Sequence, residues 1–382
     1  MQKKIKIFFF IDSLMLGGMH RQILYLAKYL DKTLFDSIVC THNSPCGGLK
    51  EEFWHSGAKI YDLQRKFRID INIIYRLIRI LYLEKPDIVF ITEPQNLFYY
   101  RIAKLFVRFP IKQIGSFRAL GFWIGHKNYF FRMLDNYLSC WLIRTSTGIV
   151  CVSRSVEERF LKLCPRVYEK FSVIYNGSDF NFNAMLDKGE LKRKHGIKAD
   201  SKIILQIAHY DAWKDFDTLL KAIQIVVLEK DDIVFLLAGE GNLRREIEAQ
   251  VRSMHLEKYV KLIGLQKPIY DYINASEFVV LSTFGEGFSN AILESMSLGK
   301  TVVATNVGGN PELMGNDNTC GFLFEMQDYL TFANRIIELL DNPALAYDMG
   351  ISAKNRVEVL CNIRQYIKEY EKTFSDVYNA RQ

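Results

Sequence analysis

The sequence predicts an α/β protein with two doubly wound domains, each built on a parallel sheet that is covered by helices on both faces. Along the 382 residues, short runs rich in β-branched residues alternate with segments whose apolar residues recur at helical spacing. The stretch from Ser178 to Asp200 is polar and charged, and it separates two halves of similar length. Apolar residues make up 49% of the chain, which is enough for two large cores.

The predicted elements of the first half are a strand, a glycine turn at Gly17-Gly18, a helix, and then further strands with helical patterns between them. The predicted strands of this half are Lys4–Ile11, Ser37–Cys40, Lys59–Tyr61, Asp87–Thr92, Ile111–Ser116, Gly148–Ser153 and Phe171–Gly177, the last of which ends in a turn. This alternation is typical of a parallel sheet.

The second half repeats the pattern after a basic helix start at Leu191–His195. Its predicted strands are Lys202–Ala208, Ile233–Ala238, Val260–Ile263, Phe278–Ser282 and Thr301–Thr305, and its predicted helices are Thr218–Leu228, Leu243–Met254, Ile269–Ala275 and Asn290–Leu298. We therefore expect domains at residues 1–177 and 178–360, with 361–382 forming a helix that packs back on the first domain. Ligands of such sheets bind beyond the carboxyl ends of the strands.

Composition excludes several classes of protein. The seven cysteines are scattered without a C-x-x-C pair, which supports neither a disulfide framework nor a zinc ribbon and indicates a reducing, cytosolic location. No uncharged apolar run approaches the length of a membrane-spanning helix. The first apolar run is interrupted by Lys6 and ended by Asp12, so it predicts a buried strand rather than a signal peptide.

The segment from Thr283 to Glu294 is the strongest functional motif. It follows a predicted buried strand, carries Gly285 and Gly287, and runs into a helix near Ser289. Glycines let a ligand approach the backbone closely, and a helix N-terminus favours a diphosphate. Glu286 in the loop and Glu294 inside the helix could then face a sugar and a ribose. On spacing alone, a loop glutamate and a solvated helix glutamate remain the alternative.

Other motifs accompany this segment in a set order along the chain. They are Gly17-Gly18, Val173–Gly177, Ala208–Phe216, Leu237–Gly241, Val260–Gly264 and Val307–Glu312. The order and spacing resembles the retaining glycosyltransferases of family four, which have the GT-B fold of two facing Rossmann-like domains. The resemblance covers most of the chain and says almost nothing about the sugar.

The resemblance implies an acceptor-binding N-terminal domain and a C-terminal domain that binds a nucleotide-sugar. Glu286 would contact the donor sugar, Glu294 would bind ribose hydroxyls, and Lys214 would neutralise the leaving diphosphate. Backbone N–H groups of the glycine loop would hold the sugar and distal phosphate, and two further backbone segments would hold the base and close over the phosphates. The residues of the glycine loop are Gly287, Phe288, Ser289 and Asn290. The segment that holds the nucleotide base is Gly264 and Leu265, and the closing loop contains Gly17 and Gly18.

Three positions depart from the family pattern. His209 stands where arginine is usual, so it would bind phosphate in a pH-dependent way or merely pack at the strand end. Arg118 follows a strand where many relatives carry a histidine; it is assigned a catalytic contact with acceptor or diphosphate, with a surface arginine as the alternative. His20 replaces a glutamate common after the paired glycines, which puts one acceptor contact in question.

We expect neither a cofactor nor a metal. The Asp215-x-Asp217 pair resembles a metal-binding D-x-D, but it opens a predicted helix, where aspartates cap and complement the dipole. The seven histidines show no paired metal-ligand spacing.

Charge is divided unevenly, because residues 1–185 carry a net charge of +12 within a chain of net +7. Residues 94–134 contain no acidic residue and interleave basic residues with aromatics such as Phe98, Phe122 and Trp123. This pattern suits an anionic membrane surface, although a packed aromatic core with solvated lysines explains it as well. No nucleic-acid motif is present.

These observations together predict a metal-independent, retaining hexosyltransferase. It would move a sugar from a nucleotide-sugar to a glycan or lipid-linked glycan during assembly of a polysaccharide or lipopolysaccharide. The expected acceptor is a lipid-diphosphate-linked glycan at the inner face of the cell membrane. Two alternatives stay open: a GT-B sugar-nucleotide epimerase, which needs no acceptor, and a non-catalytic GT-B partner subunit.

Overall fold

The structure is a computed structural model that describes residues 3–15, 17–43, 48–67, 70–120, 129–179 and 186–380, without the side chains of 94 and 129–132. Its contacts divide the chain into two compact units. Unit 1 comprises Met1–Gly177 and Ile363–Gln382, and unit 2 comprises Ser178–Asn362.

Within the described residues, unit 1 contains a sheet of seven parallel strands in the order β3-β2-β1-β4-β5-β6-β7. The strands are β1 Ile5–Ile11, β2 Phe35–Thr41, β3 Lys59–Asp62, β4 Ile88–Ile91, β5 Lys112–Phe117, β6 Gly148–Cys151 and β7 Phe171–Val173. The helices are α1 Gly18–Tyr29, α2 Lys50–Trp54, α3 Asn72–Glu84, α4 Pro94–Leu105, α5 Tyr129–Thr145 and α6 Arg154–Leu163, with a 3₁₀ turn at Pro165–Lys170.

The central strands of unit 1 are apolar on both faces, as a sheet covered by two helical layers requires. All four residues of β4 and the last five of β1 are buried. Strand β1 pairs with β2 on one side and with β4 on the other, so the strand order reverses at β1. The carboxyl ends of these three strands therefore meet at one edge of the sheet.

In the described part of unit 2, six parallel strands follow the order β10-β9-β8-β11-β12-β13. The strands are β8 Lys202–Ile207, β9 Ile233–Ala238, β10 Val260–Gly264, β11 Phe278–Leu281, β12 Val302–Thr305 and β13 Gly321–Phe324. The helices are α7 Lys188–Lys194, α8 Phe216–Glu229, α9 Arg244–Ser253, α10 Tyr270–Ala275, α11 Asn290–Ser297, α12 Asn310–Met314, α13 Tyr329–Asp341 and α14 Pro343–Leu360.

The last helix, α15 (Ile363–Asn379), belongs to unit 1 and completes its core. The Phe374 ring lies 6.1 Å from each of the rings of Phe9 and Phe90 and 6.2 Å from that of Phe35, measured between centroids. The outward face of helix α15 is polar, and the apolar residues of the helix form one stripe directed at the sheet. Strands β1, β2 and β4 therefore bury part of their apolar surface only against the end of the chain.

The alternation of strands and helices confirms the predicted doubly wound organisation in both units. Sequence analysis did not predict strand β13 or helices α12 to α14. Along the described residues, no helix is both long and apolar enough to cross a bilayer.

Candidate active site

The candidate site of unit 2 lies at the carboxyl edge of its sheet, where the strand order reverses between β8 and β11. The loops that follow β8, β11 and β12 meet there and carry most of the residues that sequence analysis singled out. Open parallel sheets bind ligands at such reversal points, because the two neighbouring loops diverge and leave a crevice.

Backbone hydrogen bonds hold the loop after β8 against the loop after β11. The Phe284 N–H donates to the Trp213 carbonyl at 2.8 Å, and Lys214 and Thr283 form an antiparallel bridge. The Ser282 hydroxyl donates to the Asp215 carbonyl at 2.7 Å. The backbone that carries Lys214 is therefore fixed by hydrogen bonds to the backbone that leads to the glycine loop.

Lys214 and Glu286 form an ion pair across these two loops. Their side chains retain only 16% and 15% exposure, so both charges are largely withdrawn from water. Removal of either partner would leave the other buried and unpaired, which is costly in proteins. The ammonium group of lysine has three N–H donors, so it can bind a further anion beside the glutamate.

The loop after β12 supports Glu286 from below. The Gly309 N–H donates to the Glu286 carbonyl at 3.2 Å. Gly308 has a left-handed backbone with φ of +56°, and a methyl group at this position would overlap the Glu286 carbonyl oxygen. Only glycine allows the backbone of this loop to approach Glu286 so closely.

Helix α11 begins immediately after the glycine loop. The Ser289 side chain caps it by accepting from the Ile292 N–H at 3.4 Å, and Phe288 is buried beneath the turn. Asn290 is its first residue, and Glu294 follows about one turn later, half-buried. The positive end of the helix dipole thus points toward the loop that holds Gly287 and Glu286.

The two residues predicted to bind the base, Gly264 and Leu265, lie at the end of β10. Gly264 has φ of +72° and turns the chain out of β10, and the next side chain, Leu265, is 58% exposed. Arg244 pairs with Glu240 and donates to the Glu248 carboxylate at 2.9 Å. Glu240 was noted only within a motif, and this charged cluster was not predicted, although its three members follow one another at spacings of four residues.

His209 stands at the end of β8 with its side chain 67% exposed. Its Nδ1 atom lies 3.6 Å from the Asp211 carboxylate. This exposure excludes the interpretation that His209 merely packs at the strand end, and it leaves the imidazole accessible to a ligand.

Asp215 caps helix α8, as the sequence predicted. Its carboxylate accepts from the Thr218 N–H at 3.1 Å and from the Thr218 hydroxyl at 2.7 Å. Asp217 instead accepts from the Lys221 ammonium at 2.7 Å. In the ranges that the structure describes, no group of three or more His, Cys, Asp or Glu side chains is placed to hold a metal ion. Metal independence stays a prediction.

The remaining predicted residues belong to unit 1. Gly17 precedes α1 and Gly18 is its first residue, while His20 pairs with Asp12 through Nε2 at 2.8 Å. Arg118 follows β5, where it donates to Asn176 Oδ1 and to the Tyr370 hydroxyl, both at 3.0 Å. Burial would lower the pKa of Arg118, but Tyr370 and Tyr366 outweigh burial and raise it. Arg118 is therefore an engaged, half-buried cation rather than a free surface arginine.

Comparison with known proteins identifies the family of this chain. Two family models match consecutive parts of the chain: "Glycosyltransferase Family 4" at residues 16–182 and "Glycosyl transferases group 1" at residues 187–356. Together they cover most of the residues. The chain belongs to the group 1 glycosyltransferases of family four, as the motif order predicted.

Several curated relatives are similar over different lengths. The UDP-Gal:α-D-GlcNAc-diphosphoundecaprenol α-1,3-galactosyltransferase of Escherichia coli is 26% identical over 372 residues, which cover 95% of this chain and 94% of that protein. The N-acetyl-α-D-glucosaminyl L-malate synthase of Bacillus anthracis is 28% identical over 235 residues, 62% of this chain and 61% of that enzyme. The latter alignment thus spans less than two thirds of its relative.

Solved structures confirm the GT-B fold. HepE of Anabaena, crystallised in complex with UDP and glucose, superposes with a TM-score of 0.82 at 19% identity over 97% of this chain and 99% of its own. Sucrose-phosphate synthase of Thermosynechococcus elongatus gives a TM-score of 0.82 at 17% identity over 99% and 100% of the two chains.

Replacement of Gly308 by alanine tests the support beneath Glu286. Gly196 is a matched control, because its φ of +59° is almost the same but nothing lies within 4 Å of an added methyl group. Gly196→Ala should cost about 1–2 kcal/mol from backbone strain alone. Gly308→Ala should cost about 1–3 kcal/mol more, because the methyl group displaces the Glu286 backbone. Denaturant unfolding measures both losses, and equal losses would contradict the contact.

Proposed function

We propose that this chain transfers a sugar, with retention of configuration, from a UDP-sugar to a hydroxyl group of a lipid-diphosphate-linked glycan during assembly of a cell-surface polysaccharide. The observation that carries the proposal is the buried Lys214–Glu286 pair beside the N-terminus of α11. The relatives support the choice of substrates: the Escherichia coli relative is named for UDP-Gal and a diphosphoundecaprenol acceptor, and HepE was crystallised with UDP-glucose.

In this proposal the donor occupies the carboxyl edge of the unit 2 sheet. Glu294 holds the ribose hydroxyls, and the backbone at Gly264 and Leu265 holds the base. The N–H groups at Phe288, Ser289 and Asn290 bind the sugar and distal phosphate at the positive end of α11. Lys214 and the exposed His209 face the diphosphate, and Glu286 contacts the transferred sugar.

The transfer step breaks the bond between the sugar C1 atom and the diphosphate oxygen. The acceptor oxygen forms its new bond to C1 on the same face, and its proton passes to the departing phosphate oxygen. Lys214 and the helix dipole stabilise the negative charge that develops on the leaving group, which is the contribution that metal-independent transfer requires. Arg118 adds a positive charge after β5 in unit 1, where the acceptor and the closing Gly17-Gly18 loop are assigned.

A lipid-linked acceptor requires the enzyme to work at the membrane, so we assign unit 1 a peripheral, reversible contact with the cytoplasmic face. In unit 1, α3 packs against α4, and large apolar side chains on and beside these helices are exposed. They include Ile71 (76% exposed), Tyr75 (63%), Leu83 (69%), Leu105 (81%) and Phe106 (59%). Exposed Arg79 and Arg108 lie on the same helices or just after them. Apolar side chains beside basic residues favour an anionic bilayer surface.

Three members of the predicted basic and aromatic stretch do not face a membrane. The Lys112 ammonium donates to the carbonyl oxygens of Tyr378 and Ala380 at the end of α15, so it stabilises the fold of unit 1 instead of facing a membrane. Tyr99 and Tyr100 are buried, so part of the stretch is core. Phe122 and Trp123 lie outside the described residues.

The direct test is transfer onto GlcNAc-diphosphoundecaprenol from a panel of UDP-sugars, with and without chelator. We expect the new glycosidic linkage to keep the anomeric configuration of the donor sugar. We also expect the transfer rate to be unchanged in EDTA. Lys214→Ala should lower turnover about a hundredfold or more, as removal of one preorganised charge stabiliser does, whereas Lys221→Ala on the exposed face of α8 should not. A strict metal requirement would return Asp215 and Asp217 to consideration, and an epimerised UDP-sugar formed without acceptor would replace the proposal by an epimerase.

Calorimetric titration with UDP separates the roles of the two glutamates. Glu294→Ala should weaken UDP binding by about 1–3 kcal/mol, because bound ribose hydroxyls lose their acceptor. Glu286→Ala should not weaken UDP binding, because Lys214 then loses its competing carboxylate, and it should lower turnover with the full donor. Glu312→Ala is the control for the loss of any glutamate in this part of unit 2, because Glu312 follows the supporting glycines Gly308 and Gly309. Equal losses of UDP affinity in both variants would contradict the assignment.

Vesicle co-sedimentation tests the membrane contact. Wild type should bind anionic vesicles at low salt, release them as salt screens the charges, and ignore neutral vesicles. Changing Arg79, Arg101 and Arg108 to glutamine should weaken binding about tenfold to hundredfold, at about 1 kcal/mol per charge. The matched control changes three exposed basic residues of unit 2, Arg245, Arg252 and Lys354, and should bind like wild type. Equal losses of vesicle binding in both triple variants would mean that net charge alone causes binding, and would contradict a membrane-binding surface on unit 1.

A further inference from the structure

A second cluster of polar side chains lies at the carboxyl edge of the unit 1 sheet, and neither the sequence motifs nor the proposed donor site uses it. Asp12 follows β1, His42 follows β2, and Glu93 follows β4. The strand registers place Ile11 beside Thr41 and Phe10 beside Ile91, so the three residues emerge from neighbouring strands. The His42 N–H also donates to the Asp12 carbonyl at 3.1 Å.

The cluster contains buried polar atoms that have no hydrogen-bond partner among the described residues. They are both ring nitrogens of His42 and Oδ1 of Asn96, on side chains that are 1% and 0% exposed. Asn96 is held in place, because its Nδ2 donates to the Phe10 carbonyl at 2.7 Å. The His42 ring is held between Phe10 and Tyr99, at centroid distances of 5.1 Å and 5.3 Å. Buried polar groups without partners are costly, so a ligand or water must satisfy them.

The two carboxyl groups of the cluster carry different charges. Burial and the charge of Asp12 raise the pKa of Glu93 to about 8, against the opposing effect of Arg65, so Glu93 is mostly neutral at pH 7. Burial raises the pKa of Asp12, but hydrogen bonds from His20 and Ser13, together with the charge of His20, outweigh burial and lower this pKa. Burial, with Arg65 nearby, lowers the pKa of His42 to about 4 and keeps the imidazole neutral.

The cluster therefore presents a neutral acid that donates, a neutral imidazole that donates and accepts, and an amide oxygen that accepts. This mixture suits the hydroxyl groups of an uncharged sugar, because each hydroxyl both donates and accepts. The Asp12 side chain is 39% exposed, so one side chain beside the cluster reaches solvent. Within the described residues, the Glu93 side chain does not cap helix α4, although it stands at the N-cap position, and it is thus available to a ligand.

We propose that Glu93, His42 and Asn96 form a hydroxyl-binding subsite for the acceptor sugar. The subsite rests on the proposed function for its substrate class. Asp12 acts as a positioning residue, because its charge keeps the proton on Glu93, while His20 in turn holds Asp12. Glu93 is then a specificity-determining residue that selects an acceptor hydroxyl able to accept this hydrogen bond.

The experiment measures binding of GlcNAc-diphosphate esters of a short polyprenol, in parallel with UDP binding and transfer. Glu93→Ala should weaken binding of this probe about tenfold to hundredfold, as loss of a buried hydrogen-bonding group does, and leave UDP affinity unchanged. Glu93→Gln, which keeps a neutral donor, should stay within about threefold of wild type. Glu84→Gln is the control: Glu84 is 4% exposed and is the last residue of α3, away from the cluster, where it accepts from Lys59 and Tyr61.

A pH series supplies a readout that a merely structural role would not move. The charged and titratable groups around Glu93 are Asp12 and His20 on the β1 side, His42 after β2, and Arg65 after β3. Because the neutral form binds, probe affinity of wild type should fall roughly tenfold or more between about pH 7 and 9.5. Glu93→Gln should abolish this fall, and Asp12→Asn should move it to lower pH.

The outcomes separate the subsite from the proposed function. Transfer that proceeds with unaltered probe affinity in Glu93→Ala, or a pH profile that persists in Glu93→Gln, overturns the subsite alone and leaves the cluster a water site. Parallel loss of UDP affinity also overturns it, because the effect is then not confined to the acceptor. Failure of wild type to bind or glycosylate any polyprenyl-diphosphate sugar overturns the proposed function and the subsite with it.

Discussion

The contact between Lys214 and Glu286 is the interaction on which the candidate donor site depends. Two charges with about 15% exposure are stable only while each has its partner, so the loops that carry them must be held together. The hydrogen bond from Phe284 to Trp213 and the close approach of Gly308 provide that constraint through backbone atoms, which do not rearrange as freely as side chains. An incoming diphosphate would therefore meet a lysine that is already oriented and largely desolvated.

The two units use the same edge of a sheet for opposite electrostatic purposes. Unit 2 places a cation and a helix N-terminus at its strand reversal, an arrangement that favours an anion. Unit 1 places a neutral glutamic acid, a neutral imidazole and an amide at the reversal around β1, an arrangement that favours hydroxyl groups. The fold is shared by many activities, so the difference in chemistry comes from the residues that follow the strands and not from the sheet itself.

Much of the fold could be predicted from the sequence, because buried parallel strands leave short β-branched runs and helices leave a period of 3.6. Strand β13 was not predicted, because its four residues, Gly321–Phe324, include no β-branched residue. The motif order indicated Lys214 and Glu286, but their pairing across 72 residues depends on strand order. The partners of Arg118, the anchoring of Lys112 and the neutral state of Glu93 all require tertiary burial, which no local pattern encodes.

The position of α15 has a consequence for the order in which the chain can fold as it is synthesised. Unit 2 is continuous, and its ends are adjacent: the Ser178 N–H donates to the Cys361 carbonyl at 2.8 Å. It has all its strands once residue 362 has left the ribosome. Unit 1 is translated first, yet Phe374 and Tyr370 are among its fully buried side chains. Unit 1 therefore keeps an exposed apolar surface during synthesis until α15 has been translated. It is the unit that chaperones would need to protect.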